Sequence, residues 1–168
     1  MKIITINLPF STDIITDLNI GDKIILNGKI ITARDAAHKR MIECLDKGES
    51  LPFDLKNACL YYCGPTPAKQ GFPIGACGPT TSGRMDVYTE RLFDAGLRYM
   101  IGKGDRIDVV KELIAKYQGL YLVAIGGAGA LYGQSVRKCR CIAYEGLGAE
   151  AVYELDVEGF VCYVANFV

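Results

Sequence analysis

Arg34, Arg84 and Lys103 are the residues whose type and placement could do chemistry. Each lies within or just before the first turn of a predicted helix. A helix N-terminus carries about half a positive charge, so a cation there is misplaced by some tenths of a kcal/mol. Three such violations suggest that the field has a use. Free N–H groups at helix starts bind anions, and a guanidinium adds a planar fork matched to a carboxylate or phosphate. The loops before Arg84 and Lys103 are rich in glycine, and the first also supplies hydroxyls: Gly78-Pro79-Thr80-Thr81-Ser82-Gly83. One reading is a pocket for a small molecule with at least two anionic groups. The other is a set of surface ion pairs, which are common and weak.

A hydroxyl of Thr80, Thr81 or Ser82 could act on such a substrate if nearby cations stabilised its alkoxide, because a free alcohol is a poor base. Helix capping by Thr81 or Ser82 is the structural alternative. His38, the one histidine, follows Arg34 by four residues and shares its helix face. That face continues through Met41 and Leu45. His38 therefore reads either as catalytic or as a buried residue that orients a loop or Arg34. Cys139-Arg140-Cys141 would set two thiols on one face of a strand, but no second close pair or further histidine completes a metal set. Cys63 and Cys77 each precede a Gly-Pro-Thr, which could place a thiol near a functional loop, with core packing the stronger reading. The stretch from Gly126 to Gly133 lacks both the G-x-G-x-x-G spacing and a P-loop lysine.

The elements that must position these residues alternate between strands and helices. A strand is expected from the start to about Asp17, broken at Pro9. Lys23–Ile31 reads as a hairpin, with Asn27-Gly28 as a type I′ turn. Thr32 would cap a helix from Ala33 to about Lys47, with Asp35 three residues on. A buried strand follows over 58–63. A helix is predicted over 84–97, with Met85, Tyr88, Leu92 and Ala95 on one face. Asp105 would cap a helix to about Tyr117. Strands are expected over 120–125 and 139–144, with a helix opening after the glycines at 126–129. A short helix near 149–155 and a strand near 160–166 close the chain. This is an α/β pattern with a sheet that is not purely parallel.

The 168 residues fit one domain, 1–168, with half of them hydrophobic and 23% charged. Nineteen Lys+Arg balance nineteen Asp+Glu. That argues against a general nucleic-acid binder, which needs excess positive charge to displace counterions. No segment approaches the roughly 18 apolar residues of a membrane span. Seven scattered cysteines suit reduced thiols in a cytoplasmic protein better than a disulfide framework.

Several runs together carry a resemblance. They are Gly21-Asp22, Leu26-Asn27-Gly28, Thr32-Ala33-Arg34-Asp35-Ala36-Ala37-His38, Tyr62-Cys63-Gly64-Pro65-Thr66-Pro67-Ala68-Lys69 and Gly78-Pro79-Thr80-Thr81-Ser82-Gly83-Arg84-Met85-Asp86. Ile101-Gly102-Lys103-Gly104, Gly126-Gly127-Ala128-Gly129-Ala130-Leu131 and Ala143-Tyr144-Glu145-Gly146-Leu147-Gly148 follow in order. The chain resembles the β-subunit, or C-terminal domain, of the class I iron–sulfur hydro-lyases, the family of fumarate hydratase and L(+)-tartrate dehydratase. The resemblance implies a swivelling β/β/α domain with a mixed sheet and reversible hydration of a dicarboxylate such as fumarate. It implies a [4Fe-4S] cluster ligated by a partner α-subunit and not by this chain. By the same resemblance Arg34, Arg84 and Lys103 would bind the substrate carboxylates and Thr80 would be the base, with His38 and Thr81 in support. Cys63, Gln70, Gly129 and the tail at 161–164 depart from the family pattern, and none is an expected ligand. A non-catalytic anion-binding module is the competing class of function.

Overall fold

The apolar runs form a mixed sheet that closes on itself. In the computed structural model, which describes residues 1–167, the strands are β1 (Ile3–Asn7), β2 (Lys23–Thr32), β3 (Cys59–Tyr61), β4 (Tyr99–Gly102), β5 (Leu120–Val123), β6 (Val136–Ala143) and β7 (Val152–Phe167). The helices are α1 (Thr12–Thr16), α2 (Asp35–Asp46), α3 (Asp86–Asp94), α4 (Asp108–Lys116) and α5 (Gly129–Gln134). The strand order is β1-β2-β3-β4-β5-β7-β6, and β2 also pairs with β7. Strands β2, β3, β4, β5 and β7 therefore make a closed ring. Neighbours from β1 to β5 run parallel, while β7 runs antiparallel to β2, β5 and β6. The expected α/β class with a mixed sheet is what forms.

Side chains alternate across the ring wall, as the pleat requires. Cys59, Tyr61, Ile101, Leu120 and Leu122 join Leu26, Ile30, Leu155 and Phe160 in one buried cluster. Leu60, Tyr62, Met100 and Tyr121 point the other way, against Met41, Leu92, Phe93 and Ile114 of α2, α3 and α4. Both faces of these short parallel strands are covered, which is why their sequences are continuously apolar.

Several expected elements form differently. Asn27-Gly28 does not turn the chain, and Lys23–Thr32 is one strand. Its pairing with β7 shifts register between Leu26 and Gly28, opposite Glu158 and Gly159. The Asn27 side chain donates to Asn7 Oδ1 (3.2 Å) and accepts from the Gly159 N–H (2.9 Å), so it stitches three strands together. Gly28 sits at φ +112°, and a Cβ there would lie 3.1 Å from Leu8 Cβ. A backbone crossing this close explains the glycine without a hairpin. Residues 12–16 are helical rather than strand, with Ile15 buried. Residues 145–150 form a 3-10 run, and Leu155 belongs to β7, which begins at Val152 rather than near 160. Among the described residues, no helix is long and apolar enough to cross a membrane.

Candidate functional site

Arg34 follows the end of β2 and Lys103 follows the end of β4. The register equates Thr32 with Tyr61 of β3 and Tyr61 with Ile101 of β4. Arg34 and Lys103 thus stand at one level, two strands apart, with backbones about 10 Å from each other by strand spacing. Both lie at the carboxyl ends of parallel strands of the ring.

The loop of residues 78–83 is sewn across the same end. The Thr80 N–H donates to the Tyr62 carbonyl at 2.6 Å, and the Ser82 N–H donates to the Lys103 carbonyl at 2.9 Å. Thr81 and Lys103 form an isolated parallel bridge. Thr80 is buried and Thr81 exposed. The loop then enters a 3-10 turn, Ser82–Met85, which sets Arg84 facing α2. Arg84 Nε donates to Asp35 Oδ1 at 3.1 Å and Nη2 to Asp35 Oδ2 at 2.5 Å, a bidentate fork. Asp35 is the residue after Arg34. The three cations and Thr80 are therefore linked through bonded neighbours at one end of the parallel strands, with Thr80 buried beneath the cations' surface.

The cations are only partly at helix starts. Arg34 flanks α2 and Arg84 precedes α3, but Lys103 is five residues before α4. Thr32, Thr81 and Asp105 do not cap. Thr32 is buried in β2, where its Oγ1 accepts the Tyr153 N–H. Thr81 and Ile107 flank their helices without a side-chain bond. The start of α2 is served instead by Glu150, which accepts the Ala36 N–H at 3.1 Å. The same Glu150 oxygen lies 3.2 Å from Arg34 Nε, an ion contact without hydrogen-bond alignment, since that nitrogen is buried and unpartnered. Arg34 also lies against Gly64, where a Cβ would come within 3.0 Å of Nε.

Two cations are therefore paired, as the surface ion-pair alternative expects, yet the cluster remains positive. Arg34, Arg84 and Lys103 face Glu150 and Asp35, a surplus of one charge (three minus two). Lys103 has no carboxylate within 4.0 Å among the described residues. The cluster is open: Arg84 is exposed, and Arg34 and Lys103 are half-buried. A groove of about 620 Å³ lies elsewhere, between residues 66–76 and α5, and touches none of these side chains.

His38 is fully buried, with its ring near Tyr62 and Tyr88. Its Nδ1 donates to the Arg34 carbonyl at 2.8 Å, and Nε2 has no partner. Burial pulls its pKa down to about 4, so it is neutral at pH 7. A neutral ring with its proton on Nδ1 holds the backbone at Arg34.

Composition and motif reading missed Arg106. It is 3% exposed and lies under the cluster. Its Nε donates to Asp86 (2.5 Å), Nη2 to Thr89 (2.8 Å) and Nη1 to the Tyr62 hydroxyl (3.2 Å). Beside it Tyr121 donates to the Gly104 carbonyl and bonds Ser82. The signal was an aspartate and a threonine three apart on the core face of α3. Gly102 allows this closeness, because a Cβ there would fall 1.9 Å from Ser82 Oγ.

A profile of the fumarase C-terminus family matches residues 1–166. The chain belongs to this family. Fumarase C-terminus relatives include the aerobic class I fumarate hydratase of Salmonella typhimurium, 37% identical over 166 residues, covering 96% of this chain and 28% of that protein. Fumarate hydratase 2 of Leishmania major is 39% identical over 147 residues, covering 86% and 26%. A Methanocaldococcus jannaschii protein, provisionally named subunit beta of L(+)-tartrate dehydratase, is 40% identical over 148 residues, covering 85% and 76%. The chain spans under a third of the length of these fumarate hydratases and about three quarters of the tartrate dehydratase relative. By the names of its members, the fumarase C-terminus family is one of hydro-lyases. Among the described residues no three His, Cys, Asp or Glu side chains converge as metal ligands.

Proposed function

We propose that this chain is the β-subunit of an iron–sulfur-dependent hydro-lyase that interconverts fumarate and malate. The observation that carries the reading is the loop 78–83 sewn between Tyr62 and Lys103, which gathers Arg34, Thr80, Arg84 and Lys103 at one end of the parallel strands. In this reading the three cations hold the substrate carboxylates, and Thr80 exchanges the proton at carbon. Thr81 supports the loop, and His38 holds the backbone at Arg34. Loss of a proton next to a carboxylate moves negative charge onto it. Cations aimed there stabilise the transition state more than the ground state.

A surplus of one positive charge matches half of a dianion. That supports a site completed by a second polypeptide, the α-subunit, to which we assign the [4Fe-4S] cluster. The whole chain, 1–168, would act in the cytoplasm as a single swivelling β/β/α domain. A second reading, L(+)-tartrate dehydratase subunit beta, is favoured by the relative of which 76% is covered, since that is itself a separate subunit.

The test is anaerobic co-expression with a candidate α-chain and assays on fumarate, malate and L(+)-tartrate. The lone chain should be inert and the complex active on fumarate and malate. Turnover by the lone chain, or none by a cluster-loaded complex, overturns the reading. Arg84→Ala in the complex should cost about 2 kcal/mol, roughly thirty-fold in kcat/KM. Thr80→Val should lower mainly kcat, and an unaltered kcat would remove Thr80 as the base.

A further inference from the structure

Cys63 and Cys77 place their Sγ atoms 3.4 Å apart, and both residues are fully buried. Cys63 lies just past β3, before Gly64-Pro65-Thr66, and Cys77 lies before Gly78-Pro79-Thr80. The Tyr61 hydroxyl donates to the Cys77 carbonyl, and the Cys77 N–H donates to Gly129, so the second cysteine is held facing the first. No other two thiols are hydrogen-bonded to each other among the described residues. A disulfide needs a separation of about 2.05 Å, so the sulfurs have about 1.4 Å to close, within reach of small χ1 rotations.

We propose that Cys63 and Cys77 are a modification site: a dithiol that a hydroperoxide oxidises to a disulfide, clamping the two Gly-Pro-Thr loops together. One thiol attacks the peroxide. An S–O bond forms, the O–O bond breaks, and an alcohol (water, for hydrogen peroxide) leaves with the thiol proton. The second thiol attacks the sulfenic sulfur. The S–S bond forms, the S–O bond breaks, and water leaves. The thiols lose two electrons and two protons, and the peroxide gains them. Cys63 is the sulfur that feels the nearby Arg34 charge. The neighbouring thiol and burial push its pKa up, and the Arg34 guanidinium opposes them. The reaction is therefore slow and answers sustained oxidant rather than a brief pulse. Both sulfurs are fully covered, so the oxidant reaches them only when the cover formed by residues 62–80 opens. Clamping also moves the segment that carries Thr80, whatever substrate the site takes.

The experiment treats the reduced full chain with hydrogen peroxide, blocks remaining thiols by alkylation in denaturant, and maps peptides by mass spectrometry without reduction. We expect a linked Cys63–Cys77 peptide lighter by two hydrogens, loss of two alkylatable thiols, and a higher Tm that dithiothreitol reverses. Cys77→Ala should leave a sulfenic acid on Cys63 that dimedone traps. Cys139→Ser with Cys141→Ser should leave the link intact. The proposal fails if peroxide consumes exposed Cys141 while Cys63 and Cys77 remain alkylatable, or if the link forms only after unfolding in urea. Neither outcome depends on turnover, so it is separable from the hydro-lyase reading.

Discussion

His38 shows how one side chain ties stability to pH. It is buried and neutral, with its pKa held near 4 against an ordinary 6.5. The unfolded chain binds a proton at pH values where the folded chain does not. Stability from this residue is complete above pH 6.5 and is lost as pH falls toward 4, by roughly 3 kcal/mol in all. Denaturant melts at a series of pH values should show that decline. His38→Asn should flatten it, because the amide can donate to the Arg34 carbonyl but does not titrate. An equally steep decline in the variant would assign the acid sensitivity to other groups. The residue's position four after Arg34 already suggested that it orients Arg34. The tautomer was not legible, because it depends on a carbonyl brought near only by the helix.

At the scale of elements, the Arg106–Asp86 pair holds the start of α3 against the segment between β4 and α4. Arg106→Met leaves the Asp86 carboxylate buried without its countercharge, and a loss of about 3–5 kcal/mol is expected in urea melts. Asp86→Leu in the same chain should recover part of that loss, since an apolar pair removes the orphaned charge. If the double variant were no more stable than the single, the network would owe its strength to Tyr62 and Thr89 instead. Much at this scale was legible. The buried strands at β3 and β5 and the helices α2, α3 and α4 follow from apolar runs and 3.6-residue spacing. Helix starts were less so, because the local cap candidates Thr32 and Asp105 do not cap. Thr32 is committed to Tyr153, and Glu150, more than a hundred residues away, serves α2. A cap delivered from so far along the chain leaves no local pattern.

Across the whole molecule, closure of the ring was the least legible feature. Asn27-Gly28 carries the strongest short-range turn signal in the chain, yet β2 runs straight through it and gains β7 along its length. Its meaning depends on Leu8 and Gly159, which local patterning does not bring near. Gly28→Ala meets both a disfavoured φ and the Leu8 contact. It should cost about 2 kcal/mol and lower Tm by roughly 5 °C. Gly21→Ala is the control: its φ is +88°, but a Cβ there meets nothing within 4 Å. It should show the backbone cost alone, and equal losses in the two variants would mean that the Leu8 crossing contributes nothing.

One consequence of the Arg84 fork reaches beyond this protein's stability. Asp35 takes two of the five Arg84 N–H donors, those on Nε and Nη2, and leaves the Nη1 edge open. An acid arriving at that guanidinium can take the open edge while Asp35 keeps the other, so the orientation of the fork is set before the acid binds. Chloride, a single centre, cannot match a two-pronged grip. The internal carboxylate thus fixes which edge of the guanidinium faces outward, as a hinge pin fixes the swing of a door.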